Sequence, residues 1–113
     1  MWKDGWVGAF ERVGSLAAVP EGEVRGYDTA WGRAGVAHLP GGLVAFRDEC
    51  PADGCLLSEG ELEEDDDAVV LVCPCDGSRF DLETGEPVRG SAVDAVPLLA
   101  VRVEDGWIEV MGP

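Results

Sequence analysis

Histidine is almost missing from this 113-residue chain: His38 is the only one. No serine, histidine and acid constellation can be built on a single histidine far from the motifs described below. Basic residues are scarce too, eight Lys and Arg against 23 Asp and Glu, for a net charge of -15. Such a field repels nucleic-acid phosphates and anionic lipid surfaces, and it speeds encounter with a basic protein surface. No glycine-rich phosphate loop precedes a helix. No apolar run approaches the ~20 residues that span a bilayer, and the N-terminus "MWKDGWVGAF" lacks the basic-then-apolar pattern of a secretory signal. A soluble, cytoplasmic and non-catalytic protein is expected, with no nucleic-acid or membrane partner.

A hydrophobic content of 46% is that of a globular chain. This length suits one domain, residues 1–113, that buries about two-thirds of its unfolded surface without help from metals or disulfides. Sixteen glycines and seven prolines are spread through it, and apolar residues never keep helical spacing for more than two turns. The class expected is therefore all-β. Candidate strands are Trp6 to Phe10, Glu23 to Thr29, Gly35 to Leu39, Leu43 to Arg47, Ala68 to Cys73, Arg79 to Leu82, Leu98 to Glu104 and Trp107 to Met111. "SLAAVPEGE" has room for one helical turn before Pro20. Trp2, Trp6, Trp31 and Trp107 are expected to serve core and edge packing.

Asp105-Gly106 is a favoured two-residue type I′ turn. It pairs Val103 with Ile108, Arg102 with Glu109 and Val101 with Val110, leaving the aliphatic residues on one face and an opposite-charge pair on the other. "LPGGLV" at residues 39–44 is a second reversal, which feeds "LVAFRD" into the first cysteine loop. From Glu59 to Asp67 seven of nine residues are acidic, a composition expected of a mobile, solvated loop tip.

The four cysteines occupy two loops that each follow a candidate strand: "CPADGC", with Cys50 and Cys55, and "CPCDG", with Cys73 and Cys75. Turn residues Pro51, Gly54, Pro74 and Gly77 would let backbone amides converge on an anion or sulfur. Cysteines bunched in this way point to metal or redox chemistry. A cysteine nucleophile would have no adjacent histidine to activate it.

On these loops, the strand "LVAFRDEC", the segment "VVLVCPCDGSRFDLETGE" and the closing hairpin, the chain resembles the Rieske ferredoxin family. That family pairs a Cys-x-His loop with a Cys-x-x-His-Gly loop. The resemblance implies an antiparallel β-sandwich with a small inserted cluster-binding-type subdomain at about residues 48–84. In the family two cysteines hold one iron of a [2Fe-2S] cluster and two histidines hold the other. By position Cys50 and Cys73 match the cysteine ligands, whereas Ala52 and Asp76 stand where the histidines belong. Cys55 and Cys75 match a pair that is disulfide-bonded in high-potential members. Ser78, next to Gly77, matches a residue that donates a hydrogen bond towards the cluster sulfurs.

Both histidines being absent, three readings of the loops stay open. The favoured one has no metal, with Cys50 beside Cys73 and Cys55 beside Cys75 as thiols or bridges. The second keeps a [2Fe-2S] cluster on substitute ligands: Cys50, Cys73, Asp76 and either Asp53 or another cysteine. Both loops read Cys-Pro-x-Asp-Gly, and anionic carboxylates in place of imidazoles would lower the potential. The third is a four-cysteine zinc site, poorly spaced because a single residue separates Cys73 from Cys75. Two functions follow from the resemblance. The favoured one is a cluster-free accessory or regulatory subunit of a larger oxygenase or reductase, and the alternative is an electron-transfer ferredoxin. In either, Leu56, Leu57 and Pro74 form an apolar patch that docks a partner with a basic surface.

Overall fold

Short apolar alternations between glycine turns bury themselves by pairing as strands. The computed structural model, which describes residues 10–65, 68–90 and 92–112, is built that way. Its strands are β1 (Phe10–Ser15), β2 (Val24–Thr29), β3 (Gly32–Leu39), β4 (Gly42–Arg47), β5 (Glu61–Asp65), β6 (Ala68–Val72), β7 (Arg79–Asp81), β8 (Pro87–Arg89), β9 (Leu98–Leu99), β10 (Val101–Glu104) and β11 (Trp107–Met111). They form three antiparallel sheets, ordered β1-β11-β10, β2-β3-β4-β9 and β5-β6-β7-β8. The only helical elements among the described residues are single 3-10 turns at Leu16–Ala18 and Leu57–Glu59. The first is the turn expected before Pro20.

The central sheet is apolar on both faces. In β3 the residues Ala34, Gly35, Val36 and Ala37 are all buried. Ala34, Val36 and Ala45 pack with Ile108 and Val110 of β11, whereas Ala37 and Phe46 pack with Leu71 of β6 and Phe80 of β7. A strand with a sheet on each side needs small residues, and its polar-apolar alternation disappears. Phe46 is paired with Gly35, and a Cβ on that glycine would lie 2.2 Å from the Phe46 ring. The ring thus lies flat on the strand and extends the core towards Cys50, Leu57 and Cys73, which belong to the same cluster.

The C-terminal hairpin has the expected register, Val101↔Val110, Arg102↔Glu109 and Val103↔Ile108. Asp105 and Gly106 both have positive φ, 51° and 81°, as a type I′ turn requires. On the polar face Glu109 accepts from Arg102 Nε at 2.8 Å and from Arg12 Nη2 of β1 at 3.1 Å. Arg102 first, then Arg12, holds its carboxyl below the usual carboxylate range. The stability this adds is present at neutral pH and fades as pH falls through that depressed value.

Three expectations change. The described part of the acidic run is largely strand: Glu61–Asp65 is β5, paired with β6, with Leu62 opposite Leu71 and Glu63 bonded to Arg79 at 2.7 Å. An edge strand needs only one partner and tolerates a charged outer face. The strand expected over Leu98 to Glu104 is divided at Ala100, because β9 pairs with β4 and β10 with β11. The first strand among the described residues is Phe10–Ser15; the expected Trp6 to Phe10 strand, apart from Phe10, lies outside the described residues, as do Trp2, Trp6, Asp66 and Asp67.

The contact between Gly35 and Phe46 predicts that Gly35→Ala lowers stability by about 1–3 kcal/mol, because the Phe46 ring must move. Urea unfolding followed by tryptophan fluorescence measures this loss.

Candidate metal centre

β4 and β6 lead into the two cysteine loops, and the repeated letters Cys-Pro-x-Asp-Gly fold into the same turn twice. In the first loop Gly54 N donates to Cys50 O at 2.8 Å and Cys50 N donates to Cys55 O at 2.8 Å. In the second, Gly77 N donates to Cys73 O at 3.1 Å and Cys73 N donates to Ser78 O at 2.8 Å. Each aspartate accepts from the amide two residues on: Asp53 Oδ1 from Cys55 N and Asp76 Oδ1 from Ser78 N, both at 2.9 Å. Each glycine has positive φ, +80° at Gly54 and +78° at Gly77. Asp and Gly hold these positions because one bonds locally to the backbone and the other accepts the left-handed conformation.

The turns bring four donors together. One ligand atom from each of Cys50, Asp53, Cys73 and Asp76 lies within 4.8 Å of every other. The two cysteines are 1% exposed and belong to the core with Phe46, Leu57, Leu71 and Phe80, whereas both aspartates are exposed. An Asp53 carboxylate oxygen comes within 3.6 Å of Cys73 Sγ in the opposite loop. Burial pushes the Cys73 thiol up to about 12; the amides of Asp76 and Cys75 act against this, while the side chains of Cys50 and Asp76 add to it. A metal taking that sulfur must displace its proton.

Two devices hold the loops in place. Cys55 and Cys75 are joined by a disulfide, the pairing that the resemblance implied, across a sequence separation of 20 residues. Asp48, a fully buried acid between β4 and the first loop, accepts from Ser58 N at 2.7 Å, Ser58 Oγ at 2.7 Å and Arg33 Nη2 at 3.1 Å. Gly26 lies under this cluster, where a Cβ would be 2.2 Å from Arg33 Nη2 and 2.4 Å from Ser58 Oγ. Neither Asp48 nor Arg33 stood out in the sequence; the available signal was one acid at the end of the apolar run "LVAF". Ser78 is buried beside Gly90, and its Oγ accepts from Ala92 N at 3.1 Å, which orients the hydroxyl.

Most of the expected site residues are gathered here. Ala52 is exposed and offers only a methyl group, so the carboxylate of the first loop comes from the next residue, Asp53. Cys50 and Cys73 are free thiols and not a bridge. The four-cysteine zinc site is corrected as well, because the sulfurs of Cys55 and Cys75 are committed to each other. Pro74 is exposed and Leu56 half-buried, but Leu57 is wholly buried and is removed from the docking patch. Its 3-10 turn is drawn inward by the bonds from Ser58 to Asp48. His38 Nδ1 lies 2.7 Å from Val19 O and is outside the donor group, as expected.

Residues 11–111 match the family model described as a Rieske-like [2Fe-2S] domain. The chain is 37% identical over 93 residues, 82% of its length and 84% of the relative's, to the 3-phenylpropionate/cinnamic acid dioxygenase ferredoxin subunit of Escherichia coli (strain K12). A chain in the complex of reduced oxygenase and oxidized ferredoxin in carbazole 1,9a-dioxygenase superposes with a TM-score of 0.80 at 25% identity, covering 91% of this chain and 93% of that one. The ferredoxin of carbazole 1,9a-dioxygenase from Nocardioides aromaticivorans IC177 shares the fold with a TM-score of 0.82 at 23% identity, over 92% and 98% of the two chains. The expected Rieske-like sandwich is the architecture of these structures. The favoured metal-free reading is overturned by the same findings, because the matching family is defined by a [2Fe-2S] cluster. The donor chemistry is compatible with a metal: two buried thiols and two exposed carboxylates meet at one point.

Two outcomes follow for the supports of the site. Asp48→Ala strands Arg33 and the Ser58 amide and should cost about 2–3 kcal/mol, the partial exposure of Arg33 keeping it below the full cost of breaking a buried pair. Replacing Cys55 and Cys75 together with serine should remove ~3 kcal/mol. Urea titration of each variant measures both.

Proposed function

The chain belongs to the Rieske-like [2Fe-2S] domain family, and from that premise we propose that it is an electron-transfer ferredoxin serving an oxygenase. This replaces the cluster-free accessory subunit that the missing histidines suggested. The observation that carries the reading is the convergence of Cys50, Asp53, Cys73 and Asp76 at the tip of the two loops. A scaffold kept only for assembly needs no such meeting of donors. The similarity to a dioxygenase ferredoxin subunit supports a non-catalytic role beside an oxygenase component.

When bound, a [2Fe-2S] cluster supplies a one-electron couple. Cys50, Asp53, Cys73 and Asp76 would hold it, and residues from about 48 to 84, extended by β8, form the cluster-binding part of one domain. The chain's other residues fix and present the site. The disulfide and the Asp48 cluster resist movement of the loops, so little reorganisation accompanies a change of charge. Leu56 and Pro74 offer a small apolar contact beside the exposed aspartates. The net charge of -15 steers a partner with a basic docking surface and disfavours nucleic acid and anionic membranes. No described helix is long and apolar enough to cross a membrane, which is compatible with a cytoplasmic site of action.

Protein purified without oxygen should contain iron and acid-labile sulfide in equal amounts, with a visible absorption that bleaches on reduction. A colourless, iron-free protein after anaerobic reconstitution would falsify the proposal. Association with the oxygenase component should weaken steeply with ionic strength, by roughly an order of magnitude or more between low and physiological salt, as read from the on-rate.

A further inference from the structure

We infer that the solvent-side iron is ligated by Asp53 and Asp76, so that two equivalent Cys-Pro-x-Asp loops share one centre, Cys50 with Asp53 and Cys73 with Asp76. This rests on the ferredoxin reading above and divides its four candidate donors between the two irons. Two observations carry it. The burial of the four donors divides them into an inner sulfur pair and an outer oxygen pair, with one of each from either loop. The two turns match bond for bond, so Asp53 and Asp76 each stand three residues after a ligating cysteine and leave their loops at equivalent points.

Other donors are excluded among the described residues. Ala52, at the histidine position of the family motif, has no lone pair. His38 contacts Val19 O and is not among the converging donors. The sulfurs of Cys55 and Cys75 are bonded to each other. The ligand of the first loop has thus moved one residue along, from the second position after the cysteine to the third.

Charge follows directly. Two neutral imidazoles give way to two anions, so the ligand set carries two more negative charges than that of a two-cysteine, two-histidine centre. Adding an electron to it costs more, and the potential falls towards that of ferredoxins with four thiolates.

Asparagine separates ligation from folding, because its side-chain carbonyl can still accept from Cys55 N or Ser78 N while the anionic ligand is gone. Asp53→Asn and Asp76→Asn should each lower iron retained after anaerobic reconstitution and gel filtration by roughly tenfold or more, with unchanged thermal unfolding of the metal-free protein. Asp76→His should restore iron, raise the reduction potential above wild type and introduce a strong nitrogen hyperfine coupling in the reduced centre. Wild-type protein should show no such coupling. Iron and potential unchanged in both asparagine variants, or nitrogen coupling in wild type, overturns the assignment but leaves the electron carrier standing. A wild type that takes up no iron overturns both.

Discussion

A carboxylate taken out of water is tolerated only where hydrogen-bond donors surround it, and the arrangement of this molecule turns on one such group. Asp48 is buried between β4 and the first cysteine loop and is satisfied by Arg33 from β3 and Ser58 from the turn that follows the loop. Those donors are 15 and 10 residues away in sequence, so the loop has its shape only when the central sheet is already assembled. Gly26 on β2 leaves the space this cluster occupies. The apolar core then continues under the loops through Phe46, Leu57, Leu71 and Phe80. Loop geometry is therefore a property of the whole sheet, although within each loop the cysteine and aspartate are only three positions apart.

The same organisation separates the electrical character of the surface from that of the interior. Excess negative charge is carried on edges and loops, including the outward residues of β5, while the sulfurs rest against hydrocarbon. An anionic centre at the surface of an anionic protein is an uncomfortable arrangement in isolation. It becomes favourable when a cationic partner approaches, because attraction and relief of self-repulsion then act together.

How much of this was legible depended on how local the cause was. The register of β10 and β11 followed from Asp105-Gly106 and a few alternating residues, and it was read correctly to the pair. β5 was hidden because its acidic composition outweighed the single inward Leu62, and β8, Pro87–Arg89, has no apolar pattern and is recruited by β7. Asp48 could not be recognised as buried, since its partners are brought to it by the fold. The paired aspartates were visible in the repeated five letters. Their weight was not, because the family motif directs attention to the position of Ala52, and only the turn geometry shows that the next residue faces the cysteines. Counting missing histidines favoured an absent metal; the family match overturns that judgement, and the donors that meet in space are candidates to hold the group.

The doubling of Cys-Pro-x-Asp-Gly has a consequence of another kind. Each copy closes on itself through its own backbone bonds and, on the proposed ligand set, would contribute one sulfur and one oxygen, so half of such a centre is written in five consecutive residues. Such a unit would be portable: any hairpin end that accepted the turn would carry half of the proposed site, and two ends fixed face to face would carry all of it. The rest of the chain clamps the two matching turns in register, and a centre held by both would be an assembly of repeats on a scale far below that of a domain.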